Sequence, residues 1–150
     1  MNANVTCLPG VVAVVAVILT ASADASAPAG RYVMASGTVY DSKTKLTWQQ
    51  TAPSKLYTWA DAQTYCAGVA ASLGGTGWRL PTIKELQTIV DDSRGRPSID
   101  PTAFPTTPEY WFWSSSPSAG SSPSAWYVFF GNGFVGRGLA SYPYNVRCVR

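Results

Sequence analysis

The 150-residue sequence contains no histidine, the side chain most often used as a general base and as a metal ligand. This absence excludes Ser–His–Asp and Cys–His nucleophilic catalysis and leaves zinc without its usual ligands. Cysteine is also scarce, with Cys7, Cys66 and Cys148 in the whole chain. The net charge of +3 comes from 11 basic and 8 acidic residues without a polybasic run, so we expect no nucleic-acid partner.

The first apolar segment, residues 11–19, is too short to span a bilayer, which needs roughly 20 apolar residues. Small residues follow it and contain two A-x-A cleavage patterns, as is typical of a secretory signal peptide. No Lys or Arg precedes Arg31, which leaves an uncleaved anchor as the alternative. The predicted division is a signal peptide at 1–23, a linker at 24–36 and one folded domain at 37–150.

Cleavage after Ala23 removes Cys7 and leaves Cys66 and Cys148 in the mature chain. An even pair of cysteines in an oxidising compartment predicts a disulfide, with two buried free thiols as the alternative. The bridge would span 148 − 66 = 82 positions, which a chain-entropy treatment values at roughly 4–5 kcal/mol. We therefore expect a periplasmic or secreted protein without a transmembrane span after cleavage.

The first half of the domain is predicted to contain strands followed by a helix. Strands are expected over 32–50, where apolar residues flank a polar loop at 41–45. A helix is predicted over 58–69 with Thr58 as its N-cap. Apolar residues at helical spacing would put Cys66 on the buried face of this helix.

A second helix and a long loop are predicted next. The helix is expected over 82–90, where Thr82 and Glu85 form a capping box. A polar, proline-rich loop is expected over 91–108.

The last third of the chain is predicted to be rich in strands. A strand starts at 110–114, and a flexible Ser/Pro/Ala/Gly loop is expected over 114–125. The Gly-Asn-Gly turn at 131–133 predicts a hairpin, and a final strand is expected over 144–150. The predicted fold class is α+β, with two helices packed on antiparallel strands and one disulfide.

Three stretches of the sequence carry a specific pattern. They are Gly37-Thr38-Val39-Tyr40-Asp41, Gly77-Trp78-Arg79-Leu80-Pro81-Thr82 and Tyr144-Asn145-Val146-Arg147-Cys148-Val149-Arg150. Together they resemble the Lcl C-terminal domain family, named after the bacterial collagen-like adhesin Lcl, over about residues 37 to 150. The family is otherwise of unknown function, so the resemblance implies a fold more strongly than an activity.

A broader similarity is to the C-type lectin fold, in which a Trp-x-x-Ala-x-x-x-Cys helix is bridged to a cysteine in the last strand. Trp59, Ala62, Cys66 and Cys148 match that pattern. The resemblance implies a C-type-lectin-like fold and, more weakly, a glycan-binding or surface-binding role. Formylglycine-generating enzymes share this broad fold and an Arg-Leu-Pro-Thr helix start, but their chemistry needs a reactive cysteine, and none is spare here.

Aromatic residues are the strongest binding feature of the sequence. Six Trp, eight Tyr and five Phe exceed what a small core needs, so we expect some rings at the surface. Alternation along a strand predicts that either Trp111 and Trp113 or Tyr110 and Phe112 face outwards. Exposed rings form platforms for sugars or proteins, and a place in the core is the alternative. The expected contact residues are Trp111, Trp113, Trp126 and Tyr142.

Several arginines could bind an anionic glycan through bidentate contacts, with a solvated surface as the alternative. These candidates are Arg94, Arg96, Arg137 and Arg147. Arg79 differs, because it lies between Trp78 and Leu80 just before a helix. We expect Arg79 to be a structural residue that pairs with a loop carboxylate.

Carboxylates in or beside the long loop are the remaining chemical candidates. They are Asp91, Asp92, Asp100 and Glu109. A pair of them could hydrolyse a glycosidic bond, and the same oxygens could bind calcium. The alternative is hydrogen bonding within turns and at a helix end.

We therefore expect an exported, non-catalytic binding module that needs no cofactor, with calcium as an open alternative. The expected partner is a glycan, in particular an anionic polysaccharide, or a cell-surface protein. The competing hypotheses are a structural or protein-interaction protein of the envelope and, with less support, a small glycan hydrolase that uses the loop carboxylates.

Overall fold

A computed structural model describes residues 28–120 and 123–150, so the predicted signal peptide and Cys7 lie outside the described residues. Within these ranges the chain forms two antiparallel three-stranded sheets and three short helices. The strands are β1 Tyr32–Ala35, β2 Thr38–Asp41, β3 Leu46–Gln49, β4 Trp111–Ser118, β5 Ser124–Phe129 and β6 Phe134–Leu139. The helices are α1 Trp59–Gly68, α2 Ala70–Leu73 and α3 Ile83–Gln87. This architecture confirms the predicted α+β class.

The first sheet has the strand order β1-β2-β3. The predicted hairpin is present, with Thr38 opposite Gln49 and Asp41 opposite Leu46. Strand β1 pairs with β2 along its whole length, although it lies within the segment predicted as a linker at 24–36. The folded part of the chain therefore extends N-terminal of residue 37.

The two predicted helices begin where their caps predict. The Thr58 side chain accepts a hydrogen bond from the Asp61 N–H at the start of α1, and Thr82 and Glu85 form both bonds of a capping box on α3. Helix α3 ends at Gln87, three residues earlier than predicted. It ends there because the N–H and the hydroxyl of Thr88 both donate to the Glu85 carbonyl, which closes the last turn.

The low-complexity segment 114–125 is more regular than predicted. Strand β4 continues to Ser118 and β5 begins at Ser124, so the flexible-loop prediction is wrong for most of this range. A register shift between Trp113 and Pro117 accommodates the proline, which has no N–H for the ladder. Serine side chains also anchor the strand, since the Ser116 hydroxyl accepts a hydrogen bond from the Ile83 N–H.

Residues 144–150, here called the closing segment, connect the two sheets rather than extend one of them. Val149 forms bridges with Trp48 and with Arg79, whereas Asn145 forms a bridge with Phe112 in β4. The final strand predicted over 144–150 is present only as these isolated bridges, and its side chains alternate between two parts of the core. Val146 and Cys148 face one cluster of the core and Val149 faces the other.

The core consists of two clusters of buried side chains. The first contains Val39, Trp48, Leu86, Ile89, Ile99, Ala103, Phe104, Phe112, Val128, Phe130 and Val149. The second contains Ala62, Cys66, Val69, Trp78, Leu80, Trp113, Ala125, Val146 and Cys148. The predicted disulfide between Cys66 and Cys148 is present and joins α1 to the closing segment inside the second cluster.

Candidate functional site

A groove of about 800 Å³ opens between three segments that are far apart in the sequence. Its lining residues are Thr51, Ala52, Pro53, Ser54, Leu56, Thr106, Pro108, Tyr110, Trp111, Pro143, Tyr144 and Asn145. None of these twelve side chains is charged. The groove therefore offers aromatic rings, prolines and a few hydroxyl and amide groups to a ligand.

Backbone hydrogen bonds hold the three segments of the groove together. Tyr57 and Tyr144 exchange N–H···O bonds of 2.9 Å, which joins the end of the 51–56 segment to the closing segment. The Asn145 N–H donates to the Trp111 carbonyl over 3.0 Å, which joins the closing segment to β4. The closing segment thus lies between the other two and keeps them adjacent.

Trp111 provides the main ring surface of the groove. Its side chain is 40% exposed, and its ring packs against those of Tyr144 and Phe129 at centroid distances of 5.4 and 5.7 Å. Tyr110 is also exposed and lies 6.2 Å from the Trp111 ring. Rings supported in this way lose little conformational freedom on binding a ligand.

A second concavity of about 520 Å³ adjoins the groove and shares Pro108, Tyr110 and Trp111 with it. We call it the Arg96 depression, because it adds Arg96, Glu109 and Phe129 to those residues. The Arg96 Nη1 lies 3.9 Å from the Glu109 Oε2, and the Arg96 side chain is 81% exposed. So long and exposed an ion pair leaves most of the guanidinium donors available.

Two polar residues that line the groove, Tyr144 and Asn145, have a fixed protonation state or a fixed hydrogen bond. Burial, together with the neighbouring Tyr127 and Tyr142, raises the pKa of Tyr144, so its hydroxyl stays protonated at neutral pH. The Asn145 side chain donates to the Trp111 carbonyl over 3.2 Å. Both residues therefore contribute to the shape of the groove as well as to its lining.

The aromatic residues predicted from the sequence are spread over different environments. The prediction that one alternate pair in 110–113 faces outwards is wrong, because Tyr110 and Trp111 are both exposed whereas Phe112 and Trp113 are both buried. The cause is that β4 has a core cluster on each face from Phe112 onwards. Trp113 therefore does not reach solvent, and its indole N–H donates to the Tyr57 carbonyl.

Trp126 and Tyr142 reach the surface but do not line the groove or the Arg96 depression. Trp126 is half-buried in β5, directly opposite Arg137 in β6, whose guanidinium lies 5.8 Å from its ring centroid. Tyr142 is 52% exposed in the turn that follows β6. The fold therefore brings only Trp111 of the predicted ring set into the groove.

The predicted arginines separate in the same way. Arg96 lines the depression, whereas Arg94 donates through Nε to Asp91 at 3.1 Å and Arg137 lies beside Trp126. Arg79 is structural, as expected, but its partner is the helix residue Glu85 rather than a loop carboxylate. The two side chains form a bidentate pair with distances of 2.8 and 2.7 Å.

Arg147 is fully buried, so the prediction that it could grip an external anion is wrong. Its guanidinium donates to the backbone carbonyls of Gln49 and Gln50 and to the Thr107 hydroxyl. Burial lowers the pKa of Arg147 to about 9, which leaves the side chain cationic at neutral pH. In the described part of the chain Arg147 forms no ion pair with a carboxylate.

The predicted carboxylates serve turns or lie at the surface. Asp91 accepts hydrogen bonds from Ser93 and Arg94, and Asp100 accepts from the N–H groups of Thr102 and Ala103. Across residues 28–120 and 123–150 no three His, Cys, Asp or Glu side chains gather as metal ligands would. Within the same ranges no helix is long and apolar enough to cross a membrane.

Most residues of the groove were not singled out by the sequence patterns. They include Pro53, Ser54, Leu56, Thr106 and Pro108. The available signal was weak: Leu56 is a large apolar residue within a polar, proline-containing segment, and it is 46% exposed. Nothing in the local sequence indicates that this segment meets Pro108 and Pro143.

Most of the chain matches the model of a known protein family. The family model described as the Lcl C-terminal domain matches residues 37–150, which is more than half of the chain. No curated protein matches the sequence. The matched range contains every residue that lines the groove and the Arg96 depression.

Proposed function

The chain belongs to the Lcl C-terminal domain family, and we propose that it is an exported, non-catalytic module that binds a polysaccharide. The ligand lies along the groove and reaches into the Arg96 depression. Sugar rings stack on Trp111 and Tyr110, and an acidic sugar unit contacts Arg96. The expected ligand is therefore an anionic polysaccharide of the envelope or the cell exterior.

The observation that carries this proposal is that the groove and the Arg96 depression adjoin at the shared rings of Tyr110 and Trp111, with Arg96 as the one cation among their lining residues. The volume of the groove falls within the range of small-ligand sites, about 300–1,000 Å³. Indole and phenol rings present flat apolar faces that suit the C–H face of a sugar. Hydroxyls of Thr51, Ser54 and Thr106 line the same space and can pair with sugar hydroxyls.

The non-catalytic part of the proposal is supported by the distribution of carboxylates. Glycoside hydrolysis normally uses two carboxyl groups that flank the scissile bond. Glu109 is the one carboxylate among the residues that line the groove and the Arg96 depression. A hydrolase that uses Asp91 or Asp100 has less support, because these side chains hold turns.

Export and the finer fold assignment are supported by the disulfide. Disulfides persist in oxidising compartments, in agreement with the predicted signal peptide and a periplasmic or secreted location. The bridge from α1 to the closing segment also supports a C-type-lectin-like arrangement. A cleaved N-terminus on the protein recovered from the periplasm or medium is the expected result of intact-mass analysis.

The binding proposal is tested by mapping chemical shifts on the labelled mature domain during titration with neutral and uronic-acid oligosaccharides, with and without calcium. We expect the shifts to cluster in 51–56, 106–111 and 143–145, with larger changes at Arg96 for acidic ligands. Shifts confined to Trp126 and Arg137 would overturn the site assignment. No shift with any oligosaccharide would overturn the glycan proposal.

A protein partner is the second candidate, because Leu56 is exposed and three prolines line a groove that has no charged side chain. Aromatic and proline surfaces of this kind also bind extended peptide segments. Replacement of Leu56 by Ser separates the two candidates. It should weaken a peptide that buries the Leu56 side chain more than a sugar chain that stacks on Trp111.

A further inference from the structure

Arg147 occupies a position that the proposed function does not explain. It is a wholly buried cation whose hydrogen-bond acceptors are two backbone carbonyls and one hydroxyl rather than a carboxylate. The rings of Phe104 and Phe112 lie 4.7 and 5.8 Å from its guanidinium carbon. These rings offset part of the desolvation of the charge through cation–π attraction.

The partners of Arg147 adjoin the segments that form the groove. Gln50 directly precedes the 51–56 segment, and its carbonyl accepts from Nη1. Thr107 lies between two lining residues, Thr106 and Pro108, and its hydroxyl accepts from Nη2 over 2.7 Å. Arg147 itself follows Asn145 by two residues in the closing segment. The Arg147 guanidinium thus bonds to groups in or next to two segments of the groove, and its own backbone belongs to the closing segment, which supplies the third.

Stability alone is a poor explanation for an arginine at this place. Burial of a charge without a carboxylate partner costs free energy that an apolar side chain of similar volume would not. A planar guanidinium, in contrast, can hold several acceptors at fixed mutual distances, which neither an apolar chain nor the point charge of lysine achieves. The benefit of the arginine is therefore the spacing of the groups that it bonds.

We propose that Arg147 is a positioning residue that fixes the distance between the 51–56 segment and the 106–108 segment and so sets the width of the groove. The effect on ligand affinity rests on the proposed function. The effect on the two segments does not, because it follows from the hydrogen bonds of Arg147 alone.

The test compares Arg147→Met and Arg147→Lys with Ile89→Val, a core variant in the first cluster whose side chain forms none of these hydrogen bonds. Backbone amide exchange is measured over 51–56 and 106–111, with α1 as the internal reference. We expect exchange in both segments to rise by about tenfold in Arg147→Met while α1 changes little, and lysine to restore only part of the protection. Ile89→Val should leave the ratio between these segments and α1 unchanged. A uniform rise across the domain, or none in the two segments, overturns the proposal.

A milder pair of variants tests the positioning role of Arg147 if Arg147→Met does not fold. Thr107→Val removes the acceptor for Arg147 together with the hydrogen bond that the same hydroxyl donates to the Phe104 carbonyl, and Thr107→Ser keeps both. We expect Thr107→Val to raise exchange in 106–111 but not in 51–56, and Thr107→Ser to match the wild type. Equal behaviour of the two variants contradicts the inference. If the wild type binds none of the oligosaccharides, the glycan proposal fails while the exchange measurement still decides the role of Arg147.

Discussion

Trp111 and Trp126 lie in neighbouring strands of one sheet, and each has an arginine nearby, yet their surroundings differ. Trp126 belongs to the local β5–β6 hairpin, and Arg137 directly opposite already occupies the vicinity of its ring. Trp111 is supported by Tyr144 and Phe129 and lies in a groove built from distant segments. A ring that reaches the surface beside an arginine therefore does not by itself form a groove, because a groove needs walls on more than one side.

Removal of the disulfide should lower the free energy of unfolding more than the other changes proposed below. The double substitution Cys66→Ser and Cys148→Ser should lower the free energy of unfolding by about 2–5 kcal/mol, because it releases the constraint that the bridge puts on the unfolded chain. Chemical denaturation measures this loss.

Amide exchange in the same double variant distinguishes the groove from the β5–β6 hairpin. The closing segment carries Cys148 and forms the middle of the groove, so the groove segments should open at lower denaturant than the β5–β6 hairpin around Trp126. Simultaneous opening of both regions would contradict a separate dependence of the groove on the disulfide.

The next largest effect is on ligand binding. Trp111→Ala should raise the dissociation constant for a bound oligosaccharide at least about tenfold, since stacking on the ring is lost. The matched variant Trp126→Ala should change it by less than about twofold. Isothermal titration calorimetry distinguishes the two, and an equal loss in both would remove the distinction between the rings.

A smaller effect is expected from the arginines. Arg96→Gln should weaken binding of a uronic-acid oligosaccharide by about three- to tenfold and reduce its sensitivity to salt, because an exposed charge pair is screened by ions. Arg137→Gln is the matched control and should leave both properties unchanged. A similar loss with a neutral oligosaccharide would show that Arg96 contributes through the shape of the site rather than through its positive charge.

A small effect on stability is expected at α3, which packs against β4 and β5 and does not line the groove. Hydrogen bonds from Arg79, assisted by Thr82 and opposed by burial, lower the pKa of Glu85 from 4.5 to about 2. Because the folded state binds this proton less readily, the stabilisation is complete above pH 4.5 and is lost as the pH falls towards 2.

Glu85→Gln tests this pH dependence. In this variant the thermal midpoint should fall less as the pH is lowered below 4.5. The difference should correspond to less than about 1 kcal/mol, since an ion pair this exposed is weak. Oligosaccharide affinity at neutral pH should stay the same. A change of affinity would mean that α3 and the groove are coupled.

Local sequence signals predicted the local parts of this fold well. Thr58, Thr82 and Glu85 act at the helix starts as their spacing predicts, because a cap involves residues only three positions apart. The cysteine pair follows by elimination once the predicted signal peptide is set aside, and it is bridged. These features depend on short-range geometry or on simple arithmetic.

The groove and the role of Arg147 depend on long-range contacts that no local pattern encodes. Arg147 meets Gln49 and Gln50 across 98 and 97 positions and Thr107 across 40. The burial of Trp113 has a similar origin, because strand alternation assumes one solvated face whereas β4 is covered on both. The sequence therefore predicted the α+β class and Trp111 as a binding residue, but not the segments that form the walls of the groove.

The position of the closing segment also determines when the domain can become complete during synthesis. A chain that has been synthesised only as far as Leu139 contains all six strands, yet Val146, Arg147, Cys148 and Val149 are still missing from the two clusters and from beneath the groove. Its packing cannot finish, and its bridge cannot form, until the ribosome has released residue 149. This order delays stable folding until nearly the whole domain has been made, which is compatible with the export proposed above.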